Sequence, residues 1–156
     1  MKRDSKFSGI LHVLLHMAAN PEPVTSDVLS HIMQTNPVVI RRTLAGLRKK
    51  GYVSSEKGSG GGWKLTAELS QINLAGIWHA IGESPLIALN HRTESPGCRV
   101  ETAVNCLITD VCEEAQALIL SRLENITLEQ LVDNLQLLSA ERFICPTFNK
   151  ERPDGE

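Results

Sequence analysis

The chain has 156 residues, of which 42% are hydrophobic and 22% charged, and its formal net charge is −2. A chain of this size can form one domain with its own core, or a small domain followed by a long helix. No apolar stretch approaches the ~20 residues that a membrane-spanning helix needs, and the first residues lack the apolar core and cleavage site of a secretory signal. We therefore expect a cytoplasmic globular protein with no membrane partner.

Two helices are predicted at the start of the chain. The first covers the strongly apolar stretch from Ile10 to Met17 and ends near Ala19–Pro21. Thr25 is a good N-cap, since a threonine hydroxyl can accept a hydrogen bond from a free amide of the first turn. A second helix is therefore predicted over residues 26–33.

A third helix is predicted over residues 37–50. Asn36 is a favourable N-cap and Pro37 suits the first helical position, while Gly51 can adopt the left-handed conformation that ends a helix. The turn before Asn36 is short, so the second and third helices match a helix-turn-helix unit. The inner face of the third helix is expected to contain Val39, Ile40, Leu44 and Leu47.

A β-hairpin is predicted after the third helix, followed by a short fourth helix. Its strands are expected over residues 52–55 and 63–66, and its tip contains the glycine-rich run GSGGG. Asn73 can cap the fourth helix, residues 74–81. The fold class is therefore predicted as mainly α with a small β-hairpin wing, a winged helix-turn-helix in residues 1–82.

The second half of the chain is predicted to contain a long helix over residues 99–124. About 26 helical residues extend ~39 Å, which is longer than a small winged-helix domain needs, so we interpret this helix as a dimerisation element. A connecting loop is expected over residues 83–98, the dimerisation helix and a final helix beginning at Thr127 over 99–138, and a mobile tail over 139–156. The apolar stripe of the long helix, spaced by the 3.6-residue period, consists of Val100, Val104, Leu107, Val111 and Leu118, widened by Ala103, Ala115 and Ile119.

The charge is distributed unevenly along the chain. Residues 41–64 contain seven basic residues and one acidic residue, a net charge of +6, whereas the rest of the chain has nine basic and 17 acidic residues, a net charge of −8. A local excess of positive charge is what a phosphate backbone requires. The predicted DNA contacts are Asn36, Val38, Val39, Arg41 and Arg42 at base edges in the major groove, Arg48 and Lys49 at phosphates, and Lys57, Ser59 and Gly60 of the wing (residues 56–62) at the minor groove.

Three segments resemble the Rrf-two family of bacterial winged-helix regulators. They are LRKKGYVSSEKGSGGGWKL, QINLAGIWHAI and ENITLEQLV, and the resemblance covers roughly residues 1–138. It implies a homodimer that binds a partly palindromic double-stranded DNA operator, commonly as a repressor, with the long helix crossing its partner. Asn36-Pro37 departs from the serine that the family usually has near the start of the recognition helix.

The cysteines raise the question of a sensor. Many members of this family sense iron–sulfur status, nitric oxide or redox change through three cysteines, and this chain has Cys98, Cys106 and Cys112 in roughly that region, with Cys145 in the tail. In a continuous helix, however, Cys106 and Cys112 lie about 120° apart and cannot converge on one cluster. We therefore expect no cofactor, with an iron–sulfur cluster on the three cysteines as the alternative, and interpret Cys106 and Cys112 as packing residues.

Cys98 is the preferred redox candidate. It follows Pro96-Gly97 at the start of the long helix, where free amides and the neighbouring Arg99 favour a thiolate. A thiolate can be oxidised reversibly, so one hypothesis is a thiol switch at Cys98. The alternative is a residue at the start of a helix with no chemistry.

His12 and His16 are four residues apart on the first helix, a spacing that places both on one face and can hold a metal ion. Two histidines alone do not define a metal site. One hypothesis adds Cys98 across a dimer interface as a third ligand, and the alternative is a pair of ordinary interface histidines.

Three classes of function remain to be compared. A dimeric DNA-binding transcription regulator agrees best with the basic segment. A winged-helix protein-interaction module without a DNA role is the second class, but such a surface needs no basic run. An enzyme is not expected, because no nucleophile–base pair, carboxylate pair or metal-ligand set occurs at a usable spacing.

Overall fold

The computed structural model describes residues 6–82, 85–87 and 97–138. Within these residues the chain forms six α-helices, one antiparallel two-stranded sheet and a short 3-10 turn. The predicted connecting loop at 83–98 lies mostly outside the described residues, and so do the predicted tail at 139–156 and Cys145. The elements are α1 (Lys6–Ala19), α2 (Ser26–Ile32), α3 (Pro37–Lys49), β1 (Val53–Ser55), β2 (Trp63–Leu65), the 3-10 turn (Leu69–Gln71), α4 (Leu74–Ala80), α5 (Arg99–Glu124) and α6 (Leu128–Leu138).

The predicted caps start α2 and α3. The Val28 amide donates to Thr25 Oγ1 at 3.4 Å, and the Val39 amide donates to Asn36 Oδ1 at 3.0 Å. Gly51, with φ of +77°, ends α3 in the left-handed conformation, as a helix terminus commonly does. The helix-turn-helix is therefore built from local signals that the sequence contains.

The core lies between α1, α2, α3, α4 and the hairpin. Ile40, Leu44 and Leu47 of α3 are fully buried in it, as predicted. The prediction that Val39 belongs to this inner face is wrong, since its side chain is 37% exposed. Val39 precedes the buried Ile40 by one residue, about 100° around the helix, and so lies at the edge of the core.

The hairpin pairs Val53 with Leu65 and Ser55 with Trp63, and both strands are shorter than predicted. A third backbone segment joins it: Val24 and Trp63 exchange two hydrogen bonds, 2.9 and 2.8 Å long. Gly62 allows this approach, because a Cβ at this position would lie 2.6 Å from the Val24 carbonyl oxygen. The wing is thereby attached to the segment that precedes α2.

The segment between α5 and α6 packs against residues 72–74, at the start of α4. The Leu74 amide donates to the Ile126 carbonyl at 2.9 Å, and the Leu128 amide donates to the Ile72 carbonyl at 2.8 Å. Leu128 is fully buried in the core. The start of α6 is thus part of the core of the helix-turn-helix half, while the domain boundaries given above stay a prediction.

The helix α5 has the predicted bounds but contains no buried residue. The apolar stripe of Val100, Val104, Leu107, Val111 and Leu118 is 50–73% exposed. No helix among the described residues is both long and apolar enough to cross a membrane.

Candidate nucleic-acid interface

The outer face of α3 combines apolar and basic side chains. Val38 is 60% exposed, and Arg41 and Arg42 are exposed as well. These three residues are spaced i, i+3 and i+4, so they lie on one face, opposite the buried Ile40, Leu44 and Leu47. Lys49 lies about three turns further along nearly the same face, by the 3.6-residue period. The arrangement places an apolar side chain and two basic ones at the start of α3 and a further positive charge at its end.

The tip of the wing is open to solvent. Lys57, Ser59 and Gly60 are all exposed, and a hydrogen bond of 3.0 Å from the Gly61 amide to the Gly58 carbonyl closes the turn. Gly58 and Gly60 have φ values of +99° and +77°, which glycine adopts without strain. The tight turn therefore accounts for the glycines at these two positions of the run.

Ion pairing lowers the positive charge that this surface offers. Lys64 Nζ lies 3.0 Å from Glu56 Oε1 at the base of the tip, and both side chains are partly exposed. Within the described part of the chain Lys57 forms no ion pair, and it lies nearer the end of the tip. The charge of Lys57 is therefore more available to a partner than that of Lys64.

Two predicted contact residues also make contacts within the protein. Asn36 uses its side-chain oxygen to cap α3, which leaves its amide group for other partners. Arg48 donates to Ser55 Oγ at 3.0 Å, and its guanidinium carbon lies 5.8 Å from the centre of the Trp63 ring. The sequence prediction of a phosphate contact for Arg48 did not anticipate this second role, because Ser55 and Trp63 approach it only in the folded chain.

The cysteines do not form a common site within the described part of the chain. Cys98 and Cys106 are exposed, Cys112 is partly exposed, and all three are free thiols. Cys98 directly precedes α5, and the uninterrupted helix separates Cys106 from Cys112 by about 9 Å of rise and about 120°. The three cysteines therefore do not fit an iron–sulfur cluster in one protomer. The prediction that Cys106 is a packing residue is wrong for the protomer, since its side chain is exposed.

The two histidines of α1 do meet. Their Nε2 atoms are 2.9 Å apart, with His16 buried and His12 exposed. Burial lowers the pKa of His16, and the nearby His12 lowers it further. Among the described residues no group of three or more histidines, cysteines and carboxylates is placed to hold a metal ion, so the pair is a hydrogen-bonded contact without a third ligand.

A helix-turn-helix followed by a hairpin with an exposed basic tip defines a winged-helix protein of the kind that binds DNA. Residues 3–134 match the model of the Rrf2 family, described as an iron-dependent transcriptional regulator. The chain belongs to this family, as its sequence predicted. It is a transcription regulator and not an enzyme.

Named relatives agree with this assignment. The chain is 29% identical to the HTH-type transcriptional regulator IscR of Photorhabdus laumondii over 131 residues, which are 84% of this chain and 76% of that protein. Its fold is similar to that of T. potens IscR, with a TM-score of 0.60, 20% identity and coverage of 90% and 93% of the two chains. It is also similar to that of CymR, the global cysteine regulator of B. subtilis, with a TM-score of 0.53, 19% identity and coverage of 86% and 98%.

Proposed function

We propose that the protein is a homodimeric repressor that binds a partly palindromic DNA operator, with α3 in the major groove and residues 56–62 at the minor groove. The observation that carries this proposal is the exposed face of Val38, Arg41 and Arg42 on a helix that leads directly into an exposed basic wing. The exposed valines at the start of this helix can make apolar contact with thymine methyl groups in the major groove.

The contacts divide into those that read sequence and those that position the protein. Arg41 and Arg42 can each donate two hydrogen bonds to guanine O6 and N7, which no other base pair offers in the major groove. Lys49 and Lys57 supply single charges suited to phosphates. The further proposed DNA contacts, which neighbour these residues in the chain, are Asn36, Val39, Ser59 and Gly60.

Mutations of the two groups should have different effects. Duplexes are first selected from a randomised library with the wild-type protein, and a selected duplex and a scrambled one are then titrated at two salt concentrations. Arg41→Ala or Arg42→Ala is expected to reduce discrimination between the duplexes by about 5- to 150-fold. Lys57→Ala should weaken both complexes equally and reduce the salt slope by about one.

Arg122→Ala is the matched control, because it removes the same charge from an exposed position of α5, far along the chain from α3 and the wing. It should bind like the wild type. If no duplex is enriched, or if all the variants bind like the control, the protein-interaction module without a DNA role becomes the better assignment.

We also propose that oxidation of Cys98 switches DNA binding. The exposed thiol directly precedes α5, where an oxidant in solution can reach it. The thiolate form of a cysteine is the nucleophile, and its attack on hydrogen peroxide would form a sulfenic acid and release hydroxide. This change of charge and size at the start of the proposed dimer helix would alter the relation between the two DNA-binding halves.

One preparation of the protein distinguishes the iron–sulfur cluster hypothesis from the thiol-switch hypothesis. Anaerobically purified protein is examined for visible absorption, iron and acid-labile sulfide, and its DNA binding is then measured before and after peroxide treatment. We expect colourless protein whose binding changes with peroxide in the wild type and in Cys106→Ser, but not in Cys98→Ser. Stoichiometric iron and sulfide would instead favour the cluster on Cys98, Cys106 and Cys112, and no response to peroxide would exclude the switch.

A further inference from the structure

The base of the wing is held from two sides. Ser55 and Trp63 are paired across the hairpin at the point where the tip begins. On one side, Arg48 of α3 donates to Ser55 Oγ at 3.0 Å and places its guanidinium 5.8 Å from the centre of the Trp63 ring. On the other side, the Trp63 indole N–H donates to Ser26 Oγ at 3.0 Å, in the first turn of α2.

The hairpin itself is too small to determine its own direction. Each strand has three residues, and an isolated two-stranded hairpin is marginally stable in water. Trp63 is only 8% exposed, and its backbone pairs with Val24. The angle at which the tip leaves the domain therefore depends on contacts at its base, and Arg48 is the α3 side chain that contacts both Ser55 and Trp63 there.

We infer that Arg48 is a positioning residue, which sets the wing relative to α3 and does not act chiefly as a phosphate contact. It lies about 100° around the helix from Lys49 and within about 20° of Arg41, and its side chain contacts the hairpin. A guanidinium can donate to a hydroxyl while its flat face lies over an indole. A lysine ammonium has no such planar fork. This inference rests on the proposed DNA-binding function. It holds that the contacts of Arg48 with Ser55 and Trp63 place the tip in the minor groove.

Ser55→Ala tests the inference, because it removes the acceptor of Arg48 and keeps every positive charge. On a duplex selected by the wild-type protein, we expect about three- to tenfold weaker binding, the range of one lost hydrogen bond. Hydroxyl-radical protection of the minor groove opposite the tip should be lost. Protection of guanine N7 from dimethyl sulfate in the major groove, under α3, should remain.

Two further variants complete the test. Arg48→Lys keeps the charge and should behave like Ser55→Ala, whereas Ser54→Ala, the same change one residue earlier in β1, should behave like the wild type. Thermal melting identifies any variant that fails to fold. If Ser55→Ala fails to fold, the conservative Arg48→Lys still tests the positioning role. Wild-type affinity and protection in both Ser55→Ala and Arg48→Lys would overturn the inference and assign Arg48 to a phosphate.

The outcomes also separate this inference from the function on which it rests. If the wild-type protein selects no duplex, the proposed function fails and the inference fails with it. If the wild type selects a duplex and shows minor-groove protection that Ser55→Ala retains, only the positioning role of Arg48 is refuted.

Discussion

His16 is a buried residue whose ionisation affects the stability of the folded state. It is 2% exposed, and burial followed by the proximity of His12 lowers its pKa from 6.5. The folded protein therefore favours the neutral imidazole, and below pH 6.5 the unfolded chain binds more protons than the folded one. The contribution of His16 to stability is complete above pH 6.5 and decreases as the pH falls through the lowered pKa.

This dependence predicts a difference between wild type and His16→Gln, which cannot titrate. The free energy of unfolding is measured by urea denaturation between pH 8 and pH 5. We expect the stability of the wild type relative to His16→Gln to fall as the pH is lowered below 6.5. A wild-type to His16→Gln difference that stays constant with pH would contradict the assignment.

At the scale of the elements, local signals predicted the helices well. Asn36, Pro37 and Gly51 define both ends of α3 through their own backbone preferences, and Asn73 caps α4 through a hydrogen bond of 2.7 Å from the Gly76 amide. The prediction of α5, a helix of 26 residues, follows from an apolar period that runs from Val100 to Ile119. These features depend on neighbours within four residues, which a sequence displays directly.

The features that sequence did not reveal depend on contacts between distant residues. Trp63 and Ser26 are 37 residues apart, and no local pattern couples them. Gly46 looks like an ordinary weakness within a helix, yet a Cβ at this position would lie 1.9 Å from the Ala80 carbonyl oxygen. A glycine is therefore required at position 46, because α3 and α4 cross closely there. The exposure of Cys106 was missed for a similar reason, since residue type alone does not say which face of α5 meets the domain.

At the scale of the whole molecule, the described helix α5 leaves a large apolar surface in contact with water in a single protomer. The stripe from Val100 to Leu118 is exposed along most of α5, and Ile119 beside it is 38% exposed. Contiguous apolar surface on a helix is typical of a protein interface. A second copy of the chain is the partner that a palindromic operator requires, because the symmetry of two half-sites mirrors that of a dimer.

Leu107→Glu places a charge at the centre of this stripe and is expected to convert a dimer into a monomer. Burying an unpaired carboxylate is strongly unfavourable, whereas in the monomer the same side chain lies in water at no comparable cost. Sedimentation equilibrium measures the molecular mass, and titration of the selected duplex should show a parallel loss of affinity, since one half-site binds without the other.

Ala117→Glu is the matched control, because it adds the same charge to an exposed position of α5 about 100° from the stripe. It should remain dimeric and bind the duplex. A monomeric wild type would refute the dimer, and a dimeric Leu107→Glu would place the interface elsewhere. Loss of DNA binding in a variant that stays dimeric would mean that α5 affects the DNA-binding half directly, through the backbone bonds that join residues 126–128 to residues 72–74.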